Sequence, residues 1–163
     1  MAVVNLQGQA MMPPIDNAFR KADTVLDEIH AAHPDVKIIL VDMHAEATSE
    51  KTAMGWYLDG KVSAVVGTHT HIPTADERVL PGGTAYITDV GMTGPHDSII
   101  GRRIERVLET TLTFHPTQFL VAKGDVQING AVVDVDSVTG TASDIHRLKV
   151  LAHEDGGISI QVD

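Results

Sequence analysis

The chain has 163 residues, of which 43% are hydrophobic, and it carries 22 acidic against 12 basic side chains, a net charge of −10. A chain of this length can bury a core of ordinary size and forms a single domain or part of one. Its acidic excess argues against binding to double-stranded nucleic acid, and no apolar stretch is long enough to predict a membrane span. It lacks cysteine, which excludes disulfides and thiolate metal sites. We expect a cytoplasmic protein with no membrane partner.

Hydrophobic periodicity predicts a mixed order of strands and helices. Apolar residues spaced three and four apart indicate helices, whereas short continuous apolar runs indicate strands buried on both faces. Asp16 precedes the first helical pattern and is its expected N-cap. Because a helix connects the second and third strands, these two strands run parallel and their carboxyl ends meet. The predicted strands are residues 2–6, 37–43, 62–66 and 84–88, and the predicted helices contain residues 19–29, 49–58 and 100–112.

The last quarter of the chain alternates apolar and polar residues. This alternation predicts antiparallel strands over residues 119–121, 126–128 and 131–135. Asn129-Gly130 separates the last two and is typical of a type I′ hairpin turn, because both central residues of that turn need a positive φ. We therefore expect an α/β fold that ends in antiparallel β-hairpin strands.

Three histidines lie where the two parallel strands end. His44 follows the second strand, and His69 and His71 follow the third within the segment Gly-Thr-His-Thr-His. Side chains alternate along an extended segment, so His69 and His71 can point to the same side and meet His44 at the sheet edge. One such histidine alone is more often a hydrogen-bonding loop residue. Three together favour a first-row transition metal, which neutral imidazole nitrogens bind well.

Several segments, taken together, resemble the YmdB-type bacterial metallophosphoesterases of the calcineurin-like superfamily. The segments are residues 5–8 (NLQG), 41–51 (VDMHAEATSEK), 53–58 (AMGWYL), 67–71 (GTHTH) and 93–101 (TGPHDSIIG). The resemblance runs from about residue 2 to residue 147, and its central block is specific. It matches the second half of such a protein.

The resemblance implies the C-terminal part of a four-layer α/β/β/α metallophosphoesterase sandwich with a dinuclear metal centre. The implied reaction is hydrolysis of a small-molecule phosphodiester, with cyclic nucleotides such as 2′,3′-cAMP as the substrate class. By motif, His44 and His69 would ligate one metal ion and His71 the other. Two such ions clamp a phosphate and turn a bridging water into hydroxide at neutral pH. The implied cofactors are two divalent transition-metal ions, with iron or manganese ahead of zinc.

Further side chains near the histidines are candidates for supporting roles. Asp42, Glu46 and Asp89 are the nearest acceptors that could fix the histidine tautomers, and a surface or capping role is an equal alternative. Gly94 and His96 lie in a loop that follows a predicted strand, so we expect them near the substrate phosphate. The glycines of that loop could equally serve turns alone.

The helix predicted over residues 49–58 carries two adjacent aromatic side chains, Trp56 and Tyr57. They could stack on a base of the substrate or pack against the sheet. Aromatic residues at helical spacing mostly pack, so we expect Trp56 to be largely buried.

The family's amino-terminal motifs have no counterpart here. In the family, an Asp after the first strand, a Glu-Asn pair and an Asn-His pair supply the bridging carboxylate, an amide ligand and the acid that protonates the leaving oxygen. We therefore expect residues 1–163 to be the C-terminal portion of a larger enzyme, weakly active or inactive alone. Its expected protein partner is a complementing N-terminal half or a second copy.

Three other classes of protein compete with this interpretation. A poly-γ-glutamate capsule-type metallophosphatase also has a strand-terminal His-x-His, but the Thr70 spacer and the Ala-Thr-Ser-Glu segment favour the first family. A non-catalytic metal-binding or assembly module would retain the histidines without the acids. A metal-dependent amidohydrolase with the same motif needs about 250 residues of repeated βα units, and this chain is too short.

Overall fold

Two β-sheets form the framework of the chain in the computed structural model, which describes residues 1–153 and 156–163. Within these residues the first sheet has the strand order β1-β2-β3-β5-β4 and the second the order β6-β7-β8-β9. The expectation of an α/β chain ending in antiparallel strands is confirmed. The strands are β1 (Ala2–Gln7), β2 (Ile39–His44), β3 (Ala64–Thr68), β4 (Arg78–Val79), β5 (Ala85–Ile87), β6 (Gly94–Pro95), β7 (Val126–Val135), β8 (Ala142–Ala152) and β9 (Ile158–Val162), and the helices are α1 (Ala18–Ala32), α2 (Thr48–Leu58) and α3 (Ile104–Thr113).

The first sheet is parallel except for β4, and other elements pack against both of its faces. Its helix-facing side chains pack against α1 and α2 because the strand–helix–strand connections return the helices to one face. Its opposite face packs against β8 of the second sheet through Ala64, Ala85, Ile87, Ala142 and Ile145. The described residues therefore form three layers: two helices, a mainly parallel sheet and an antiparallel sheet. The first core includes Val4, Leu6, Leu26, Val41, Met43, Met54, Leu58 and Val65.

The helices begin at slightly different residues from those predicted. Asn17, not Asp16, caps α1, since Oδ1 of Asn17 accepts hydrogen bonds from the backbone N–H groups of Phe19 and Arg20. The third helix begins at Ile104 because the preceding segment contains turns. No helix among the described residues is long and apolar enough to cross a membrane.

The predicted hairpin turn at Asn129-Gly130 is wrong. Both residues lie inside β7 and pair with Lys149 and Leu148 of β8. Nδ2 of Asn129 lies 2.9 Å from a ring nitrogen of His96, so the side chain makes a tertiary contact instead of stabilising a turn. The apolar alternation on either side of these residues therefore belongs to one long strand.

The turn between β7 and β8 lies at residues 136–141 instead. Oδ1 of Asp136 accepts hydrogen bonds from backbone N–H groups two and three residues ahead, and Gly140 has a φ of 80°. The strand predicted over residues 119–121 is also wrong. Val121 forms a single isolated bridge with Arg102, because no neighbouring strand continues the pairing there.

The prediction that Trp56 is largely buried is wrong. Its side chain is 51% exposed and lies under the guanidinium of Arg78, 5.7 Å from the ring centroid. Tyr57 packs edge-to-face on Phe19 of α1, with the ring centroids 5.4 Å apart. Trp56 points away from the sheet because the buried face of the helix is formed by residues spaced three and four apart. That face consists of Lys51, Met54, Gly55 and Leu58.

Gly67 allows the end of β3 to lie directly against the segment that follows β5. A Cβ atom at this position would lie 1.6 Å from the carbonyl oxygen of Thr88, a distance that no backbone can accommodate without moving. The carbonyl oxygen of Gly67 accepts from the N–H of Val90 at 3.0 Å. The close approach therefore holds residues 88–90 beside the Gly-Thr-His-Thr-His segment.

We predict that Gly67→Ala lowers the free energy of unfolding by at least about 2 kcal/mol, because the added methyl group overpacks a backbone–backbone contact. Urea unfolding followed by circular dichroism measures the change. Gly130→Ala is the matched control, since a Cβ at Gly130 in β7 would meet nothing within 4 Å. Equal stability of the two variants would contradict the assignment of Gly67 as a packing constraint.

Candidate metal centre

Three parallel strands end level with one another at one edge of the first sheet. Gln7 of β1 pairs with His44 of β2, and His44 pairs with Thr68 of β3. Because the strands are parallel, the loops that follow them leave from the same edge. The histidine-bearing segments therefore lie at the carboxyl edge, where open α/β sheets bind ligands.

The rings of His44 and His69 contact each other at this edge. Nε2 of His44 lies 3.1 Å from Nδ1 of His69, and the ring centroids are 4.7 Å apart at an interplanar angle of 74°. Two nitrogens bound to one tetrahedral zinc ion at about 2.0–2.1 Å would lie about 3.3 Å apart. The facing ring nitrogens of His44 and His69 are therefore spaced closely enough for one metal ion to bind both.

The outer nitrogens of both rings are held by neighbouring acceptors. The Thr68 hydroxyl donates to Oδ1 of Asp42 at 2.7 Å, so its oxygen is left to accept from Nδ1 of His44 at 2.9 Å. Oε2 of Glu46 lies 3.1 Å from Nε2 of His69 and accepts its hydrogen. A neutral imidazole with its hydrogen on the outer nitrogen presents a lone pair on the inner one. The two inner nitrogens lie within hydrogen-bonding distance of each other. With the hydrogens on the outer nitrogens, both inner nitrogens would direct lone pairs toward one point, and such a donor set fits a divalent transition-metal ion.

His71 contacts a different part of the structure. Its Nδ1 lies 3.1 Å from the carbonyl oxygen of Ile100 and donates to it, which leaves the lone pair on Nε2. Across residues 1–153 and 156–163, no three His, Cys, Asp or Glu side chains are grouped so that they could hold a metal ion. Ligation by all three histidines therefore stays a prediction.

Asp89 lies beneath the turn that carries the two histidines, where it contacts Thr70 and not a histidine ring. Its Oδ2 accepts from Nζ of Lys51 at 2.7 Å and from the hydroxyl and backbone N–H of Thr70 at 2.6 and 3.1 Å. The carboxylate is fully buried, and so is the lysine that pairs with it. Glu46, in contrast, contacts His69 directly, and Asp42 is linked to His44 through the Thr68 hydroxyl.

Sequence reasoning missed Lys51, Thr68 and Thr70. Lys51 shares the buried face of α2 with Met54 and Leu58, so its helical spacing was a usable signal. A lysine is nevertheless taken as solvent-exposed by default. The two threonines carry no comparable signal, because a small polar residue beside a loop is common in any fold.

The loop with Gly94 and His96 lies at the Ile100 side of the histidine turn. Nδ1 of His96 lies 3.0 Å from the carbonyl oxygen of Gly94, and its Nε2 lies 2.9 Å from the side-chain nitrogen of Asn129, so both ring nitrogens have partners. The ring lines a cavity of about 460 Å³ that Gln127 and Arg147 also line. A role for Gly94 and His96 in substrate binding stays a prediction.

Comparison with known proteins finds relatives over most of the chain. The family described as YmdB-like protein matches residues 1–148. A 2′,3′-cyclic-nucleotide 2′-phosphodiesterase of Bacillus subtilis (strain 168) is 51% identical over 150 residues, which are 92% of this chain and 56% of that protein. The chain spans about half the length of the curated relatives it matches.

Two crystal structures share the fold. A hypothetical protein from Thermus thermophilus matches with a TM-score of 0.73 at 40% identity, over 99% of this chain and 56% of that one. A novel phosphatase from Mycoplasma pneumoniae matches with a TM-score of 0.82 at 36% identity, over 91% and 52% of the two chains. These likenesses confirm the predicted fold class.

Asp76 anchors the loop that leaves His71. Burial disfavours its charged form, but hydrogen bonds from Thr74 and from the hydroxyl and backbone N–H of Thr88 outweigh burial and lower the pKa of the Asp76 carboxyl. A carboxyl whose pKa is lower in the folded state stabilises that state above its unfolded pKa, about 3.9. This contribution disappears as the pH falls through the folded value.

We predict that Asp76→Asn lowers the free energy of unfolding by about 1 kcal/mol at pH 7, since charged hydrogen bonds at a partly exposed site have roughly that value. The difference from the wild type should shrink when urea unfolding is repeated at pH values progressively below the unfolded pKa, about 3.9. Asp27→Asn, at an exposed position of α1, is the control. It should leave the free energy of unfolding unchanged both at pH 7 and at acidic pH. A difference that stays constant with pH would rule out the charged carboxylate as the stabilising form.

Proposed function

Because this chain belongs to the YmdB-like protein family, we propose that it supplies the histidine ligands of a cytoplasmic, metal-dependent phosphodiesterase. The proposed substrates are small phosphodiesters of the 2′,3′-cyclic nucleotide class, after the name of the Bacillus subtilis relative. The observation that carries the proposal is the contact between His44 Nε2 and His69 Nδ1 at 3.1 Å, with each outer nitrogen held by an acceptor.

In this proposal His44 and His69 hold one divalent ion of a dinuclear centre, and His71 holds the second through its Nε2. When bound, two such ions supply Lewis-acid activation of the phosphate and a hydroxide at neutral pH. The chain's own side chains keep the rings in one tautomer: Thr68 holds His44, and Glu46 holds His69.

The remaining ligands and the acid that protonates the leaving oxygen come from outside these 163 residues in our proposal. Three histidines can capture an ion, but a bridged pair also needs a carboxylate between the ions. The loop with Gly94 and His96 would contact the substrate, because its neighbour Ile100 is hydrogen-bonded to His71. Either a complementing amino-terminal half or a second copy would complete the enzyme.

A non-catalytic metal-binding or assembly module is the second candidate function. It is consistent with the finding that, in the described part of the chain, no three candidate side chains are grouped for one ion, so these residues alone do not assemble a complete catalytic centre. The two candidates differ in turnover, since both bind metal but one alone hydrolyses a phosphodiester. Family membership leaves no ground for the capsule-type alternative.

We predict that the purified chain binds Mn²⁺ and that His69→Ala weakens this binding by at least about 10-fold, because it removes a ligand nitrogen. Isothermal titration calorimetry measures the affinity. His146→Ala is the matched control, since that partly exposed ring lies in β8 and bonds to Asp144 and to the carbonyl oxygen of Asp163. Equal affinity of the two variants would exclude His69 as a ligand.

We predict that the chain alone hydrolyses 2′,3′-cAMP feebly in the presence of Mn²⁺. Joining it to the unmatched portion of the Bacillus subtilis relative, in cis or as a separate polypeptide, should raise turnover at least about 100-fold. His69→Ala in the completed protein should remove that gain.

Robust hydrolysis by the 163 residues alone, lost on His69→Ala, would show that acids within this chain complete the centre. Metal binding without turnover in the completed protein would favour the assembly module.

A further inference from the structure

The turn that carries His69 and His71 has an unfavourable backbone conformation, with positive φ angles at both histidines. His69 has a φ of 97° and His71 a φ of 71°, and residues with a Cβ rarely adopt the left-handed region. Two such residues on either side of Thr70 persist only when the surrounding structure over-determines their conformation. Thr70 lies between these two residues, and its hydroxyl and backbone N–H both bond to Asp89.

Thr70 is held by a buried ion pair. Oδ2 of Asp89 lies 2.6 Å from the Thr70 hydroxyl and 3.1 Å from its backbone nitrogen, and it is 2.7 Å from Nζ of Lys51. Asp89 is 0% exposed and Lys51 is 1% exposed. Nζ of Lys51 also lies 3.4 Å from the Thr70 hydroxyl. One carboxylate oxygen thus binds both polar groups that Thr70 directs toward it.

The ion pair is itself fixed by regular structure on two sides. Lys51 projects from the buried face of α2, and Asp89 directly follows Thr88 and the β5 strand. The second carboxylate oxygen accepts from the N–H of Gly91 at 2.8 Å, so the carboxylate cannot rotate away. The turn is thereby tied to a helix and to a strand at the same time.

We propose that the Lys51–Asp89 pair is a positioning device that sets the separation of His69 and His71 through the Thr70 hydroxyl. Neither Lys51 nor Asp89 touches a metal ion or substrate in this proposal, so they are positioning residues. The inference rests on the proposed metal-binding function of the histidines. It assigns to Thr70 a role in metal affinity that is separable from its contribution to stability.

The test changes Thr70 and leaves the ion pair intact, because removing one charge of a buried pair would leave the other unpaired. Thr70→Val keeps the side-chain shape and removes the hydroxyl, while Thr70→Ser keeps the hydroxyl. The control is Thr84→Val: Thr84 is buried, whereas Thr70 is half-buried, and the Thr84 hydroxyl donates to the carbonyl oxygen of Val62 at 2.6 Å, away from the histidines.

Two measurements separate positioning from stability: Mn²⁺ affinity by calorimetry, and the ring signals of the histidines in long-range ¹H–¹⁵N NMR spectra of the metal-free chain. We expect Thr70→Val to weaken Mn²⁺ binding at least 10-fold and to shift the signals of His69 and His71. Thr70→Ser should stay within about 3-fold of the wild type. Thr84→Val should lower the Tm and leave both the affinity and these signals unchanged.

Unchanged ring signals in Thr70→Val would overturn the positioning role. So would a loss of affinity in Thr84→Val that matches the loss in Thr70→Val, because affinity would then follow stability. If the wild type binds no Mn²⁺ but Thr70→Val still shifts the signals of His69 and His71 alone, the positioning role stands and the proposed metal-binding function fails. The two failures are therefore distinguishable.

Discussion

The close approach of β3 to the segment after β5 is the constraint on which the candidate site depends. Gly67 has no Cβ, so the carbonyl of Thr88 lies where a side chain would otherwise stand. Residues 88–90 therefore run beside the histidine turn, which brings the Asp89 carboxylate under Thr70. Any larger residue at position 67 would move the histidine turn away from residues 88–90. The Asp89 carboxylate would then lose its hydrogen bond from the backbone N–H of Thr70. The geometry of the candidate site thus depends on the absence of a side chain at position 67.

The pairing of the strands adds a second level of order. Because β2 and β3 are in register, Asp42, Thr68 and His44 form a hydrogen-bonded chain across two strands. The carboxylate of Asp42 only accepts, so the single hydrogen of the Thr68 hydroxyl points to Asp42. The hydroxyl oxygen must then accept a hydrogen from His44. This direction of donation determines which nitrogen of His44 keeps its lone pair. Strand register therefore selects an imidazole tautomer, a link between backbone pairing and ligand chemistry.

The sequence predicts the parallel strands and the meeting of His44 with His69, because continuous apolar runs and strand–helix–strand order depend on local patterns. It does not predict the length of β7. Asn129-Gly130 has strong turn preferences, but a tertiary contact to His96 and pairing with β8 override them. The prediction that Trp56 is buried is wrong for a related reason, because its exposure depends on which face of a short helix meets the sheet. Features decided by distant partners are those that local patterns miss.

The buried pair of Lys51 and Asp89 shows how a costly interaction can be retained for geometry. Burying two charges incurs a desolvation penalty that their attraction often does not repay, so such a pair is weak evidence for stability. A pair of apolar residues would fill the same space, but it could not accept hydrogen bonds from Thr70. In the ion pair, one oxygen of Asp89 accepts from both the hydroxyl and the backbone N–H of Thr70. Two positive φ values on either side of Thr70 need a partner with fixed direction, which dispersion contacts do not provide. Conformational specificity at the turn, and not the net energy of the ion pair, is therefore the physical reason for a buried lysine behind the histidines.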